Sequence, residues 1–241
     1  MKLNPRFLVP LILQKLIWIP TRLILIICGR LEVKGLEHLR ELETRSPQLP
    51  IIFTCNHSSE IDPFLVPASL PFFSRFSPIF YAVREKKFYD GNGWRKHLFN
   101  GWFINMWGGY SALTGLRDYE KSLAEHIIIL RNGGNFCVFP EGGITRDGTL
   151  QPAKGGVSFL AHSAPCVIVP VAISGVYGVS VADFFSGKRR ITVRFGEPIR
   201  PEELYSLIYP GESRASHVSG MSVWKIEADY IMGKVGELLE K

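Results

Sequence analysis

The sequence lacks the features that mark several classes of protein. Its 241 residues include only four cysteines, and none has the C-x-x-C spacing of a disulfide scaffold or zinc site. A reducing compartment is the simplest interpretation. No repeat period is visible, and a chain that is 46% apolar and 21% charged does not have the composition of a disordered protein. No cluster of histidine, cysteine and carboxylate residues suggests a metal site, so we expect no metal.

Acidic residues are absent from the first 30 positions. That segment carries five basic residues and so accounts for nearly all of the formal net charge of +6. The rest of the chain is close to neutral, which argues against a basic nucleic-acid-binding domain, and we expect no nucleic-acid partner. The length suits one domain with an appendage. We therefore predict an anchor at 1–30 and one folded domain at 31–241.

The anchor contains no charge-free apolar run of the ~18–20 residues that a spanning helix needs, because Lys15 and Arg22 interrupt it. Pro10 and Pro20 predict a broken or kinked helix. We favour short helices lying in a membrane interface on the cytoplasmic face, with Lys15 and Arg22 reaching anionic lipid. A spanning helix, a secretory signal and helices buried against the core are the alternatives.

Predicted strands alternate with predicted helices along the rest of the chain. This order predicts an α/β layered domain with a mixed, largely parallel sheet flanked by helices. Strands are predicted at 31–35, 51–55, 79–83, 102–107, 135–139, 166–174 and 191–195, and helices at 63–70, 117–131, 155–163 and 222–239.

A polar segment at 56–62, which includes His57 and Asp62, follows the strand predicted at 51–55. Histidine suits a general base near neutral pH, and a carboxylate five residues later could hold one imidazole nitrogen. The alternative is structural, because an aspartate before Pro63 also fits the start of a helix. Cys55, one residue before this segment, is either a nucleophile or a buried thiol.

A second polar segment, 139–148, leaves the strand predicted at 135–139. Gly142 and Gly143 let the backbone approach a ligand, and Arg146 offers a guanidinium to a phosphate or carboxylate. Lys154 stands just before a predicted helix, whose N-terminus favours an anion.

Taken together, these two segments resemble the glycerolipid acyltransferase family, typified by lysophosphatidic acid acyltransferase. The family's Asn-His-x-x-x-x-Asp block is matched by Asn56, His57 and Asp62, and its Phe-Pro-Glu-Gly block by residues 139–142. An apolar strand containing Pro170 matches a further block, and Lys154 precedes a glycine as in the family. The resemblance extends over roughly residues 30–200.

Two departures concern the arginines that the family uses to bind the acceptor phosphate. Thr114 and Ile144 stand at the positions where those arginines are expected. Arg117 lies three residues after the first position, and Arg146 lies two residues after the second. A buried dianion without a cation is costly, so the resemblance implies acyl transfer without fixing the acceptor.

The resemblance implies direct transfer of a fatty acyl group from a thioester to a lipid hydroxyl. His57 would be the general base and Asp62 its orienting partner. The acceptor is expected to be 1-acylglycerol-3-phosphate, in phospholipid biosynthesis. The implied acceptor-binding residues are Glu141, Gly142, Arg146, Lys154 and Arg117.

The expected partners are an anionic membrane surface, a lysolipid acceptor, and acyl-CoA or acyl carrier protein as the donor, with no other cofactor. Backbone amides near Gly142 or Gly156 could hold the oxyanion. Three alternatives remain open: an acyltransferase with another acceptor, such as an amino-lipid, glycolipid or other lysolipid; a thioester or lipid hydrolase; and a non-enzymatic membrane-attached domain.

Overall fold

The computed structural model describes residues 4–84, 101–113, 116, 118–208 and 221–240. These residues form a seven-stranded sheet in the order β1-β7-β6-β2-β5-β3-β4. Neighbouring strands are parallel except β6 and β7, which are antiparallel. Helices cover both faces, so the predicted α/β fold with a mixed, largely parallel sheet is confirmed.

The strands are β1 (Glu32–Lys34), β2 (Ile51–Cys55), β3 (Ile79–Arg84), β4 (Gly109–Ala112), β5 (Asn135–Val138), β6 (Val167–Ser174) and β7 (Thr192–Phe195). The helices are α1 (Pro5–Ile27), α2 (Leu36–Arg45), α3 (Asp62–Ser69), α4 (Gly101–Met106), α5 (Tyr119–Ser122), α6 (Ala124–Arg131), α7 (Gly156–His162), α8 (Val181–Phe185), α9 (Pro201–Ile208) and α10 (Met221–Leu239).

The core lies on both faces of the sheet. On one face, the strands pack against apolar side chains of α6, α7, α9 and α10. On the other face, they pack against α2, α3 and Leu25 of α1. Because β2, β5 and β6 are covered on both sides, their sequences are almost continuously apolar and all five residues of β2 are buried.

Several local predictions were wrong. A strand had been predicted at 102–107, but this segment is helical up to Met106 in α4, and the strand β4 follows it. The prediction failed because a short apolar run does not distinguish a helical period from a strand period. The single helix predicted at 117–131 is divided into α5 and α6 at Leu123. Helices α2, α8 and α9 had not been predicted.

Helix α1 is continuous through Pro10 and Pro20, so the alternative of a broken helix is wrong and that of a kinked helix stays a prediction. Its polar side chains bind the rest of the protein. The Gln14 amide donates to the carbonyls of Ile79 (2.7 Å) and Trp107 (3.1 Å) and accepts from the Ile79 amide (2.9 Å). These bonds satisfy buried backbone groups at the start of β3, so α1 is an integral part of the fold.

Lys15 and Arg22 also face the protein. They donate to the carbonyls of Phe72 and Ala68, and Trp18 donates to that of Leu70 (3.2 Å). The carbonyl of Ala68 belongs to the last turn of α3, where helical partners are missing. The expectation that Lys15 and Arg22 reach lipid is therefore wrong for this conformation.

The outward face of α1 is apolar. Its exposed large side chains are Val9, Ile12, Leu16, Ile19, Leu23, Ile24, Ile26 and Ile27. By length and composition, α1 is also the one helix among the described residues that could cross a bilayer. The usual arrangement of a surface helix is reversed here, since the polar side faces protein and the apolar side faces outward.

Candidate active site

The two polar segments meet because β2 lies beside β5 in the sheet. These strands are parallel, with Thr54 opposite Val138, and β6 lies parallel on the other side of β2. Their carboxyl ends therefore share one edge, where α/β domains place ligand sites. At this edge the Asn56 amide donates to the Ile173 carbonyl (2.9 Å) and accepts from its amide (2.8 Å), which fixes the end of β2 to β6.

His57 and Asp62 form a close pair after β2. The Nδ1 atom of His57 lies 2.9 Å from Oδ2 of Asp62. That same oxygen accepts from the backbone amides of Ser58 (2.6 Å) and Ser59 (2.8 Å). The carboxylate thus fixes both the loop and the imidazole.

The geometry does not support a purely structural role for Asp62 as the cap at the start of α3. Asp62 opens α3 and is followed by Pro63, but its carboxylate turns back to the preceding loop. The side chain is fully buried, and its Oδ1 atom has no hydrogen-bond partner among the described residues. Asp62 therefore orients the imidazole and the loop through its Oδ2 atom.

The imidazole ring is also fixed from one side. It stacks on Phe139 with ring centroids 4.3 Å apart and an interplanar angle of 27°. The Nε2 atom of His57 has no hydrogen-bond partner among the residues that the structure describes, and the ring lines a cavity of about 150 Å³. This nitrogen is therefore available to a proton donor in the cavity.

Glu141 joins the two segments. Its Oε1 accepts from the His57 amide (2.6 Å) and its Oε2 from the Gln151 amide (2.9 Å). Burial raises the pKa of Glu141, and the two amides and His57 oppose that shift. Each carboxylate oxygen accepts from a backbone amide, so Glu141 holds the His57 backbone in position, and contact between Glu141 and an acceptor stays a prediction.

The loop after Glu141 is organised by Asp147. Its Oδ1 accepts from the hydroxyls of Thr145 (2.9 Å) and Thr149 (2.8 Å), from the Thr149 amide (3.0 Å) and from the Gln151 side chain (3.1 Å). These bonds, led by the Thr149 amide, lower the pKa of Asp147. The sequence analysis did not predict this network. The signal that could have indicated it is the Asp147-Gly148 pair, which is typical of a turn.

Gly142 and Lys154 are in direct contact. Gly142 has φ of +71°, and a Cβ atom built there would lie 2.4 Å from Nζ of Lys154. The Gly142 amide donates to the Phe139 carbonyl (2.9 Å) and is thus committed to the turn rather than free for an oxyanion. The glycine leaves room for the ammonium group to lie across this turn.

A second cavity of about 450 Å³ adjoins the first through Glu141 and Thr145. Ile144, Arg146 and Asp147 line it. Arg146 is thus brought to the edge of the site that holds Glu141. Ile144, which replaces the expected arginine, faces the same space.

Thr114 and Arg117 lie outside the described residues, so the candidate role of Arg117 stays a prediction. Cys55 is buried, with its sulfur 3.6 Å from that of Cys137. Burial raises the pKa of the Cys55 thiol, which opposes a nucleophilic role. Within the described ranges, no three histidine, cysteine or carboxylate residues are grouped to hold a metal.

Comparison with known proteins identifies the family. The sequence model of the acyltransferase family matches residues 30–174. The mouse 1-acyl-sn-glycerol-3-phosphate acyltransferase alpha is 30% identical over 71% of this chain and 52% of its own length. The human beta form is 30% identical over 67% of this chain and 50% of its own. The chain thus spans about half the length of these curated relatives.

The fold has a solved counterpart. The crystal structure of the 1-acyl-sn-glycerophosphate (LPA) acyltransferase PlsC from Thermotoga maritima aligns with a TM-score of 0.58. The match covers 95% of this chain and 82% of that one at 18% sequence identity, which indicates a shared fold. Together with the family match over residues 30–174, these similarities establish that the chain belongs to the acyltransferase family.

Proposed function

We propose that this acyltransferase moves a fatty acyl group from a thioester to the free hydroxyl of 1-acylglycerol-3-phosphate. The observation that carries the proposal is the His57–Asp62 pair, joined at 2.9 Å and bordering a cavity. The acceptor is the one that the mouse and human relatives are named for. The product would be phosphatidic acid, a precursor for phospholipid biosynthesis.

In the proposed mechanism, Nε2 of His57 takes the proton from the acceptor hydroxyl as its oxygen attacks the thioester carbonyl. The tetrahedral intermediate expels the thiolate, which then takes that proton from the imidazolium. Asp62 holds Nδ1–H and stabilises the imidazolium while it exists. Direct transfer of this kind needs no acyl-enzyme, and the thioester of coenzyme A or of acyl carrier protein serves as co-substrate.

Lys154 and Arg146 are the proposed cations for the acceptor phosphate, with Arg117 a further candidate. Lys154 lies across Gly142, the residue after Glu141, and Arg146 lines the second cavity. Cationic groups of this kind suit a phosphate because they form charge-assisted hydrogen bonds.

Replacing Gly142 with alanine tests the role of Lys154. We expect the free energy of unfolding to fall by about 1–2 kcal/mol, because alanine is strained at positive φ. The new Cβ would also displace the ammonium of Lys154, so acyl transfer should fall by about tenfold. Gly133→Ala is the matched control: it has φ of +85° and no atom within 4 Å of its added Cβ. Equal activity of the two variants would count against Lys154.

An acceptor without a phosphate monoester is a second candidate, and one observation favours it. The larger cavity is lined by two carboxylate residues, Glu141 and Asp147, against one cation, Arg146, and Ile144 supplies no charge. That balance disfavours a dianion and suits a lysolipid whose headgroup carries an amine or a phosphodiester.

An acceptor panel distinguishes these candidates. Purified protein is incubated with radiolabelled acyl-CoA or acyl carrier protein thioester, and with lysophosphatidate, lysophosphatidylethanolamine, an amino-lipid or no acceptor. Transfer to lysophosphatidate is the expected result. Transfer only to another acceptor would support the second candidate, acyl release without acceptor would indicate a hydrolase, and no turnover at all would indicate a binding domain.

For α1, we propose a position in the plane of a membrane interface at the cytoplasmic face. Gln14, Lys15, Trp18 and Arg22 bind the protein along one side of the helix, whereas the opposite side is apolar. A spanning orientation would surround these polar side chains with lipid, whereas an interfacial one leaves them on the protein and buries only the apolar side.

Substituting Leu16 and Leu23 with aspartate should weaken vesicle binding by about a hundredfold, because two apolar contacts become two charges facing lipid. Both side chains are exposed, at 67% and 53%, so the fold should be unaffected. Sedimentation with vesicles of phosphatidylcholine and phosphatidylglycerol measures the effect. The control is aspartate at Ile128 and Ile226, exposed side chains of α6 and α10. Deleting 1–28 is a poorer test, because Gln14 and Leu25 support the fold.

A further inference from the structure

The segment 176–190 borders the candidate active site and has an exposed apolar surface that the acyl-transfer mechanism does not use. It follows Ser174 and Gly175, which line the cavity of His57, and its own Tyr177 lines the same cavity. Val181 and Phe185, at the two ends of α8, are 76% and 61% exposed. Residues four apart on a helix share a face, so these two side chains point the same way.

This short helix is held in a defined orientation. Ser180 caps it by accepting from the Asp183 amide (3.0 Å). Phe184 packs inward against the core, where its ring lies 3.4 Å from the position of a Cβ at Gly29. Because Phe184 faces the core, the next side chain, that of Phe185, faces outward.

The segment lies beside the C-terminal end of α1. A Cβ at Gly187 would lie 3.9 Å from the carbonyl oxygen of Ile27, the last residue of α1. Ile26 and Ile27 are exposed at that end of the helix. The exposed residues of α8 therefore belong to a segment that adjoins the surface that we propose for the bilayer.

Basic residues follow the apolar ones. Lys188, Arg189 and Arg190 are exposed, and Asp183 is the one acid in 176–190, so the segment has a formal charge of +2. Lys188 pairs with Asp183 (3.6 Å) and Arg190 with Glu32 of β1 (3.4 Å), and these exposed pairs leave the surface with a net positive charge. Exposed apolar side chains beside basic ones match a membrane surface that contains anionic lipid.

The segment is also linked by hydrogen bonds to the loop after Glu141. Arg189 donates to the Tyr177 carbonyl (2.7 Å), and the Tyr177 hydroxyl donates to the Arg146 carbonyl (2.7 Å).

From these observations, we propose that residues 176–190 form a second membrane contact at the rim of the active-site cavity, docking on anionic lipid through Val181, Phe185, Lys188 and Arg190. The inference rests on the proposed interfacial position of α1, with which this contact would share one bilayer surface.

The test uses the full chain with Val181→Asp and Phe185→Asp combined. We expect its partition onto vesicles of phosphatidylcholine and phosphatidylglycerol to fall by about tenfold to a hundredfold. Turnover of a short-chain, water-soluble acceptor without vesicles should be unchanged. The aspartate pair at Ile128 and Ile226 is the control, and Val181→Ser with Phe185→Ser repeats the test if the charged pair lowers the thermal midpoint. Binding equal to that of the control would overturn the proposal.

A second variant tests the charges. Lys188→Gln with Arg190→Gln retains Arg189, which holds Tyr177, and should weaken binding about tenfold on anionic vesicles but not on phosphatidylcholine alone. If it leaves vesicle binding intact and instead impairs turnover only with acyl carrier protein as donor, the basic residues dock that acidic protein and the lipid proposal is wrong. If Leu16→Asp with Leu23→Asp also leaves vesicle binding normal, the proposed interfacial position of α1 is itself wrong.

Discussion

Replacing His57 with alanine lowers kcat for acyl transfer by about a thousandfold while leaving the thermal midpoint within a few degrees of the unaltered protein. The rate falls because Nε2 is the atom that takes the acceptor proton, and general-base assistance contributes about a hundredfold to ten-thousandfold. Stability changes little because the ring is partly exposed and its contacts are with Phe139 and Asp62. Initial rates with a saturating thioester donor measure the effect.

The matched control is His38→Ala, which removes a partly exposed imidazole from α2 and should leave the rate unchanged. Asp62→Asn distinguishes orientation from charge. If its amide oxygen takes the position of Oδ2, it keeps the acceptor for Ser58, Ser59 and His57 but loses the negative charge. We expect a fall of about a hundredfold or more, and no further loss when this change is added to His57→Ala. More than a tenth of the normal rate in His57→Ala would refute the general-base role.

The residues of the candidate site were predictable because each of the two segments begins where an apolar strand ends. The runs at 51–55 and 135–139 are too short and too β-branched or aromatic for buried helices, so His57 and Glu141 had to follow strands. What the sequence did not contain was the strand order. The adjacency of β2 and β5 brings Glu141 onto the His57 amide, and it depends on packing of the whole sheet.

The orientation of α1 was not predictable for a different reason. A helical period groups Lys15 with Arg22, and it groups apolar residues such as Ile12, Ile19 and Leu23 on another side, but it does not indicate which side faces the protein. The usual expectation places charge outward. Here the carbonyls at the end of α3 and in the loop after it bind Lys15, Trp18 and Arg22, and the apolar side is left outside.

Helix α4 illustrates a third limit. The run at 102–107 has large apolar side chains at every position except Asn105, so neither period is visible in six residues. Gly108, with φ of +89°, ends the helical segment, and β4 begins at the next residue. The glycine could have been interpreted as a helix terminus, which would have placed the strand correctly.

Glu141 provides the second large expected effect. Its substitution with alanine leaves the amides of His57 and Gln151 without acceptors, at about 1–2 kcal/mol for each of these part-buried donors. The unfolding free energy should therefore fall by about 2–4 kcal/mol in denaturant titrations. The His57 backbone would also lose one of its anchors, and a displacement of about 1 Å at a catalytic group costs about a hundredfold in rate.

The partition between kcat and KM identifies what Glu141 does. If it positions His57, Glu141→Gln lowers kcat and leaves the KM for the acceptor unchanged, because the substituted amide accepts from one backbone N–H and opposes the other with its own donor. If Glu141 binds the acceptor, as the family resemblance first implied, KM rises and kcat is retained. Glu203→Gln, the same change at an exposed site on α9, serves as the control. Since both oxygens of Glu141 already accept from backbone amides, we expect the loss in kcat.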